Sequence, residues 1–437
     1  MNTPICDFVH SYAEKEMLRL HMPGHKGVGI LGIERLDITE VSGADSLYEA
    51  NGIIAESEHN ASILFGCPTF YSTEGSSQCI RAMLHLATCG KTKRIAAARN
   101  VHKTFLSAAA LLDLQVDWLY PEENCSYLSC QLEVEDLKKY LSTALILPDA
   151  VYITSPDYLG NMLDIYGLST VCHEFGVLLL VDNAHGAYLR FLPESLHPMD
   201  LGADLCCASA HKTLPVLTGG AYLHVRNEGL AKIAKNALSL FGSTSPSYLI
   251  LQSLDLANPY LSQDYIKQLK EFCHRVQEAR IFLVNKGYRI TGNEPMKLTI
   301  APKSYGYTGV ELADLLRQQG IECEFADPDY IVFMFALTTG TDGLSKLLDA
   351  LAALEQKDAI LSYPPPYGFS VAEVSIRQAL LCPAKEVQVE SAVGQILASP
   401  SVGCPPAVPI AICGERITQN HVETFRYYGI DTIWVIQ

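Results

Sequence analysis

Charged residues make up only 18% of this 437-residue chain, and its 32 Lys and Arg residues form no basic run. Against 48 Asp and Glu they leave a formal net charge of −16, a balance that repels phosphate backbones and excludes nucleic-acid binding as the main role. No apolar run approaches the roughly 18 residues that a membrane span needs. The first twenty residues mix charged with apolar side chains, so neither a signal peptide nor a membrane partner is expected, and the compartment reads as cytoplasmic. Internal repeats and low-complexity tracts are missing too. The 14 cysteines, scattered from Cys6 to Cys413, include no Cys-x-x-Cys pair. The close spacings Cys206-Cys207 and Cys125 to Cys130 fit neither a zinc knuckle nor a redox dithiol, which predicts reduced, mostly buried thiols and no metal site. What is abundant is apolar: 49% of the residues are hydrophobic, and the length predicts two or three domains with a large core.

Between residues 60 and 226 short apolar runs alternate with segments of helical period, the pattern of a mostly parallel sheet with crossover helices. Expected strands are Arg94–Ala98, Val116–Tyr120, Ala150–Thr154, Val177–Val181, Leu205–Ser209 and Gly220–Val225, with helices from Ser76 and around Ile165–Phe175. The amphipathic stretch Gln263–Lys286 reads as a connector helix. Beyond it, strands at Tyr288–Ile290, Leu298–Ala301 and Tyr330–Ala336 with a helix at Gly309–Gln319 read as α+β. Consecutive prolines in Ser362–Gly368 forbid helix and mark a boundary. The expected fold class is therefore α/β: a three-layer αβα large domain with a mostly parallel sheet, and a smaller α+β C-terminal domain. The divisions are an N-terminal arm (1–30), a large cofactor-binding domain (31–262), a small domain with the connector (263–361) and a C-terminal subdomain (362–437).

Gly27-Val28-Gly29-Ile30-Leu31-Gly32 matches G-x-G-x-x-G by letter. A dinucleotide fingerprint follows a buried strand and opens a helix, whereas this one follows the turn-rich His21–Lys26, so a glycine-rich arm is the better reading. More informative are the strand ends. Val177–Val181 delivers Asp182 to its carboxyl end and the next strand delivers Ser209-Ala210-His211-Lys212, where open parallel sheets place their ligands. A lysine amine that can condense with an aldehyde, beside a carboxylate that can pair with a pyridine nitrogen, is what pyridoxal phosphate chemistry requires. Glu74-Gly75-Ser76-Ser77, at a turn into a helix, adds two hydroxyls and helix N–H groups for a phosphate.

On Leu20–Gly27, Asp37–Val41, Arg99–Lys103, Val181–Gly186, Ser209–Pro215, Ser243–Tyr248 and Cys413-Gly414-Glu415, the chain resembles the ornithine/lysine/arginine decarboxylase family. That family lies within the fold-type I pyridoxal phosphate enzymes of the aspartate-aminotransferase fold, and the likeness is to its compact members, which lack the N-terminal wing. The resemblance implies that Lys212 is the Schiff-base lysine, that Asp182 pairs with the ring nitrogen and that His102 stacks on the ring. It implies further that Ser76, Ser77, Ser209 and His211 surround the phosphate, with Ala184 and His185 beside the cofactor. It also implies an active site shared across a homodimer or higher oligomer, with Ser243–Tyr248 reaching the neighbour's phosphate site. Lys212 and His211 are the expected proton donors to Cα.

Some positions depart from the family pattern: Tyr48 replaces a usual His, Glu74 a usual Asn, and Asp157 a usual Thr, while the tail segment 403–409 lacks the family's aromatic. The implied reaction is α-decarboxylation of arginine, lysine or ornithine to a polyamine precursor. A cationic substrate side chain wants a carboxylate, and Asp45, Asp157 and Glu415 are the candidates. The competing readings are another pyridoxal phosphate enzyme, either an amino-acid lyase or an aminotransferase using Arg377 for the substrate carboxylate, and a non-catalytic regulatory paralogue. For Arg377 a structural role is the preferred reading.

Overall fold

A computed structural model describes residues 1–120, 126–366, 368–400 and 406–437. Tyr367 of the proline-rich boundary, residues 403–405 of the tail segment, Cys125 and Cys404 lie outside the described residues. In chain order the first strands are β1 (Thr69–Ser72), β2 (Arg94–Ala98), β3 (Gln115–Leu119), β4 (Ala150–Thr154), β5 (Leu178–Asp182), β6 (Leu205–Ala208) and β7 (Ala221–Val225). The first helices are α1 (Pro4–Glu14), α2 (Ile53–Phe65), α3 (Gly75–Thr88) and α4 (Lys103–Leu112). The chain forms two compact units, one of residues 1–90 with 165–270 and the other of residues 91–164 with 271–437.

In the first unit the strand order is β1-β7-β6-β5. β5 and β6 run parallel, while β7 is antiparallel to both β6 and β1. All five residues of β7 and all four of β6 are buried, which is why these strands read as continuous apolar runs. Phe65, Tyr222, His197 and His224 pack ring against ring in the core of this unit. Burial drives the His197 pKa down to about 3 and that of His224 well below its ordinary value, so both rings are neutral core residues. Residues 27–32 are followed by no helix before Ile53, so the glycine pattern near the N-terminus opens no dinucleotide-type helix.

In the second unit β2 lies between β4 and β3, parallel to both, and α4 makes the β2–β3 crossover. This is the α/β alternation expected from the sequence. The same unit holds two antiparallel sheets. One comprises β8 (Arg289–Thr291), β9 (Lys297–Ala301), β10 (Phe325–Ala326) and β11 (Ile331–Met334), and the other β12 (Ala384–Gln388), β13 (Leu397–Ser399) and β14 (Thr432–Ile436). Tyr127, Phe325, Val332, Ile410, Phe425 and Val435 belong to a single buried cluster that ties these sheets to each other. The described cysteines are free thiols, seven of them buried, as the spacing predicted.

The anchoring of α1 is a long-range one. Thr3 caps nothing with its side chain, and the first-turn amides of Ile5 and Cys6 donate instead to Asp255 Oδ2 at 2.9 and 3.0 Å, while Ser57 donates to its Oδ1 at 2.5 Å. Asp255 is fully buried, and desolvation raises its pKa from 3.8 to about 6. The folded state therefore binds this proton more readily than the unfolded chain, and ionisation costs stability as pH rises between those two values. Unfolding titrations should show wild type losing about 3 kcal/mol relative to Asp255→Asn between about pH 4 and about pH 6, and a constant difference above that.

Candidate active site

The parallel register of β5 and β6 places Asp182 directly opposite Cys207, so the two carboxyl-terminal strand ends lie side by side. Asp182 is 2% exposed. Its Oδ1 accepts the Ala184 amide at 3.2 Å and the Cys207 thiol at 3.5 Å. β6 ends at Ala208, and Ser209 begins a single helical turn, Ala210–Thr213, that carries His211 and Lys212. Lys212 Nζ lies 3.0 Å from His185 Nε2, while the His211 Nδ1 sits 2.9 Å from the Gly220 carbonyl oxygen. A carbonyl only accepts, so His211 Nδ1 carries the proton and that nitrogen is held against β7.

Ser209 and Ser76, two of the residues expected around a phosphate, lie in contact. The Ser209 hydroxyl donates to the Ser76 hydroxyl at 2.9 Å, at the first turn of α3. Gly75 enters that helix with φ +71°, and its amide donates to the Gly219 carbonyl at 2.7 Å. Gly219 has φ +101°, and a Cβ there would come within 2.8 Å of the Thr73 carbonyl oxygen, so both glycines are required by the turn. Ser77 follows Ser76 in the same turn. Gln78 ties the turn down: it accepts from Ser72 at 2.6 Å and donates to the Tyr48 hydroxyl at 2.7 Å and to the Leu238 carbonyl at 2.9 Å. Tyr48, the departure from the family His, is thus a brace for α3. Glu74, the other departure, accepts the amide of Ser243, so its charge meets a backbone donor beside the start of α3.

This donor set fits pyridoxal phosphate. Two hydroxyls at the start of a 14-residue helix suit a phosphate dianion, a primary amine suits the aldehyde, and a buried carboxylate suits the ring nitrogen. Ala184 contributes its amide to Asp182 and His185 its ring to Lys212, so both belong to the same cluster. Cys207, Gln78, Gly219 and Gly220 were not singled out by the sequence, since their roles arise from strand register and turn packing.

His102 belongs to the second unit, where it caps α4: its Nδ1 accepts the Thr104 amide at 3.2 Å. The acids expected to meet the substrate have other partners. Asp45 is 6% exposed, and its carboxylate accepts the amides of Ser46, Asn51, Gly52, Ile54 and Ala55, the last four at the start of α2. Asp157 closes its own turn by accepting from the Asn161 amide and side chain, both at 2.9 Å, and its burial raises its pKa. Glu415 is 1% exposed, pairs with Arg99 at 3.4 Å and accepts the Ile412 amide at 2.8 Å. Among the described residues the Asp45 and Asp157 carboxylates meet amide donors, while Glu415 engages Arg99 and the Ile412 amide through Oε2 and keeps a buried Oε1 with no hydrogen-bond partner. Arg377 donates to the Ala110 and Leu111 carbonyls at the end of α4, the structural role preferred for it.

The variant Asp45→Ala should cost about 1–2 kcal/mol through loss of the α2 anchor. Glu415→Ala, which removes the Arg99–Glu415 ion pair, should cost about 1.5–3 kcal/mol. Denaturant melts check both, and neither variant should change KM for an amino-acid substrate.

The model of the Orn/Lys/Arg decarboxylase major domain matches residues 3–291. The arginine decarboxylase of Halalkalibacterium halodurans is 31% identical over 97% of this chain and 93% of its own length, and that of Bacillus subtilis is 29% identical over 96% and 92%. Among solved structures, the lysine decarboxylase of Francisella novicida superposes with a TM-score of 0.80 over 100% of this chain and 81% of its own, at 16% identity, which shows a shared fold. The chain belongs to the Orn/Lys/Arg decarboxylase family.

Proposed function

We propose that this protein is a pyridoxal-phosphate-dependent decarboxylase that removes the α-carboxylate of a basic amino acid, with arginine as its substrate and agmatine as the product. The observation that carries the reading is the Lys212 amine placed 3.0 Å from His185 Nε2 on the strand end beside Asp182. Arginine is favoured by the near-full-length sequence relatives named arginine decarboxylases, whereas in sequence a lysine decarboxylase of Pseudomonas aeruginosa matches 49% of this chain at 24% identity.

In this reading Ser76, Ser77 and Ser209 hold the phosphate, with His211 beside them, and Asp182 holds the ring nitrogen; the family resemblance adds His102. When bound, the cofactor supplies an electron sink for the pair left behind as the carboxylate departs as carbon dioxide. Lys212 Nζ holds the proton that returns to Cα, and His185 Nε2, in hydrogen-bond contact with it, replenishes that proton. His211 is a poorer donor than Lys212 because its Nδ1 proton is bound to the Gly220 carbonyl.

The same reading places the enzyme in the cytoplasm, in polyamine supply, and as a homodimer or higher oligomer. Among the described residues no helix is long and apolar enough to cross a membrane. Leu18, Leu20, Val28, Ile30 and Leu31 of the arm region are at least 80% exposed, an apolar strip that a second copy would cover. Residues 31–262 form the cofactor domain, 263–361 the small domain and 362–437 the tail subdomain in this proposal.

An assay over arginine, lysine, ornithine and neutral amino acids, with product identification, tests the reaction. Carbon dioxide with agmatine is the expected outcome, and Lys212→Ala should lower the rate by at least 100-fold, on the order expected when a positioned acid–base group is lost. Keto-acid formation without carbon dioxide would instead identify an aminotransferase.

A further inference from the structure

Cys207 is fully buried, and its thiol donates to the carboxylate of Asp182 at 3.5 Å. The contact follows from the sheet. Residues paired across a parallel ladder point their side chains to the same face, and Asp182 and Cys207 are such a pair. The next amide, Asn183 N–H, donates to the Cys207 carbonyl at 3.0 Å, which locks the register at this step. Burial and the neighbouring Asp182 charge raise the Cys207 pKa well above its ordinary value, so the group is a thiol and carries a proton to donate. Cys207 S–H and Ala184 N–H converge on one oxygen, Oδ1, from opposite sides of the chain: one from β6, one from the loop after β5. Turning the carboxylate about its Cβ–Cγ bond would break both contacts at once.

We propose that Cys207 is a positioning residue: its thiol, together with the Ala184 amide, fixes the orientation in which Asp182 receives the ring nitrogen of the cofactor. The inference rests on the pyridoxal phosphate reading above. A thiol is a weak donor, so it orients the carboxylate while withdrawing less of its charge than a hydroxyl or amide in the same place would. The neighbouring Cys206 points to the other face of the strand, as the period of two requires, and cannot substitute for it.

The test separates donor from volume. Thr and Val have the same shape and suit a strand, but only Thr can donate, so Cys207→Thr and Cys207→Val form the decisive pair. The dissociation constant of pyridoxal phosphate is measured by equilibrium dialysis against the apoprotein, alongside the unfolding midpoint of each apoprotein. The expected result is a Kd raised about two- to tenfold in Cys207→Val, the range of a single hydrogen bond, with Cys207→Thr within about twofold of wild type and the two midpoints alike. Equal Kd values in Val and wild type, or the same loss in Thr as in Val, would overturn the proposal. Should the β-branched pair fail to fold, Cys207→Ser and Cys207→Ala make the same comparison. A wild-type protein that binds no pyridoxal phosphate would refute the cofactor reading itself, a result distinct from a binding wild type whose variants are unaltered.

Discussion

Asp182 opposite Cys207 in the parallel β5–β6 ladder is the constraint on which the proposed chemistry depends. From that register the chain emerges at two adjacent strand ends. One carries the carboxylate with Ala184 and His185 behind it, and the other carries Ser209, His211 and Lys212 on a single helical turn. The antiparallel β7 then returns alongside β6, and its leading segment supplies the Gly219 and Gly220 carbonyls that hold the Gly75 amide and the His211 ring. Three strands and one helix start thus bring two serine hydroxyls, an amine and a buried carboxylate into one unit.

Much of this was legible in the sequence because the signals are local. Ala150–Thr154 and Arg94–Ala98 form strands over the expected residues, and the connector read as Gln263–Lys286 is a helix over Tyr265–Asn285. Continuous apolar runs and helical periodicity encode burial directly, and a strand's last residue is fixed once the run is recognised. The Ser76–Ser209 contact was legible only through the resemblance to a family, since nothing local in either segment shows that it meets the other.

The acids show where such reading ends. Asp45, Asp157 and Glu415 are all carboxylates in loops or turns, and by residue type each could greet a cation. Asp45 is instead surrounded by amides up to ten residues away, and Glu415 by Arg99 from a distant strand end. These partners arise from tertiary packing, which pairs a buried charge wherever it finds one. Glu74 makes the same point in reverse. It stands where the family has Asn, and its side chain meets the Ser243 amide, a partner 169 residues along the chain. Cys207 was invisible for a similar reason: a cysteine in an apolar strand reads as packing until the register sets it against Asp182.

Lys212 is the residue proposed to carry the cofactor. Reduction of the cofactor-loaded protein with borohydride, followed by peptide mapping, should place a single pyridoxyl label on Lys212. Label on another lysine, or a loaded protein that acquires none, would contradict it.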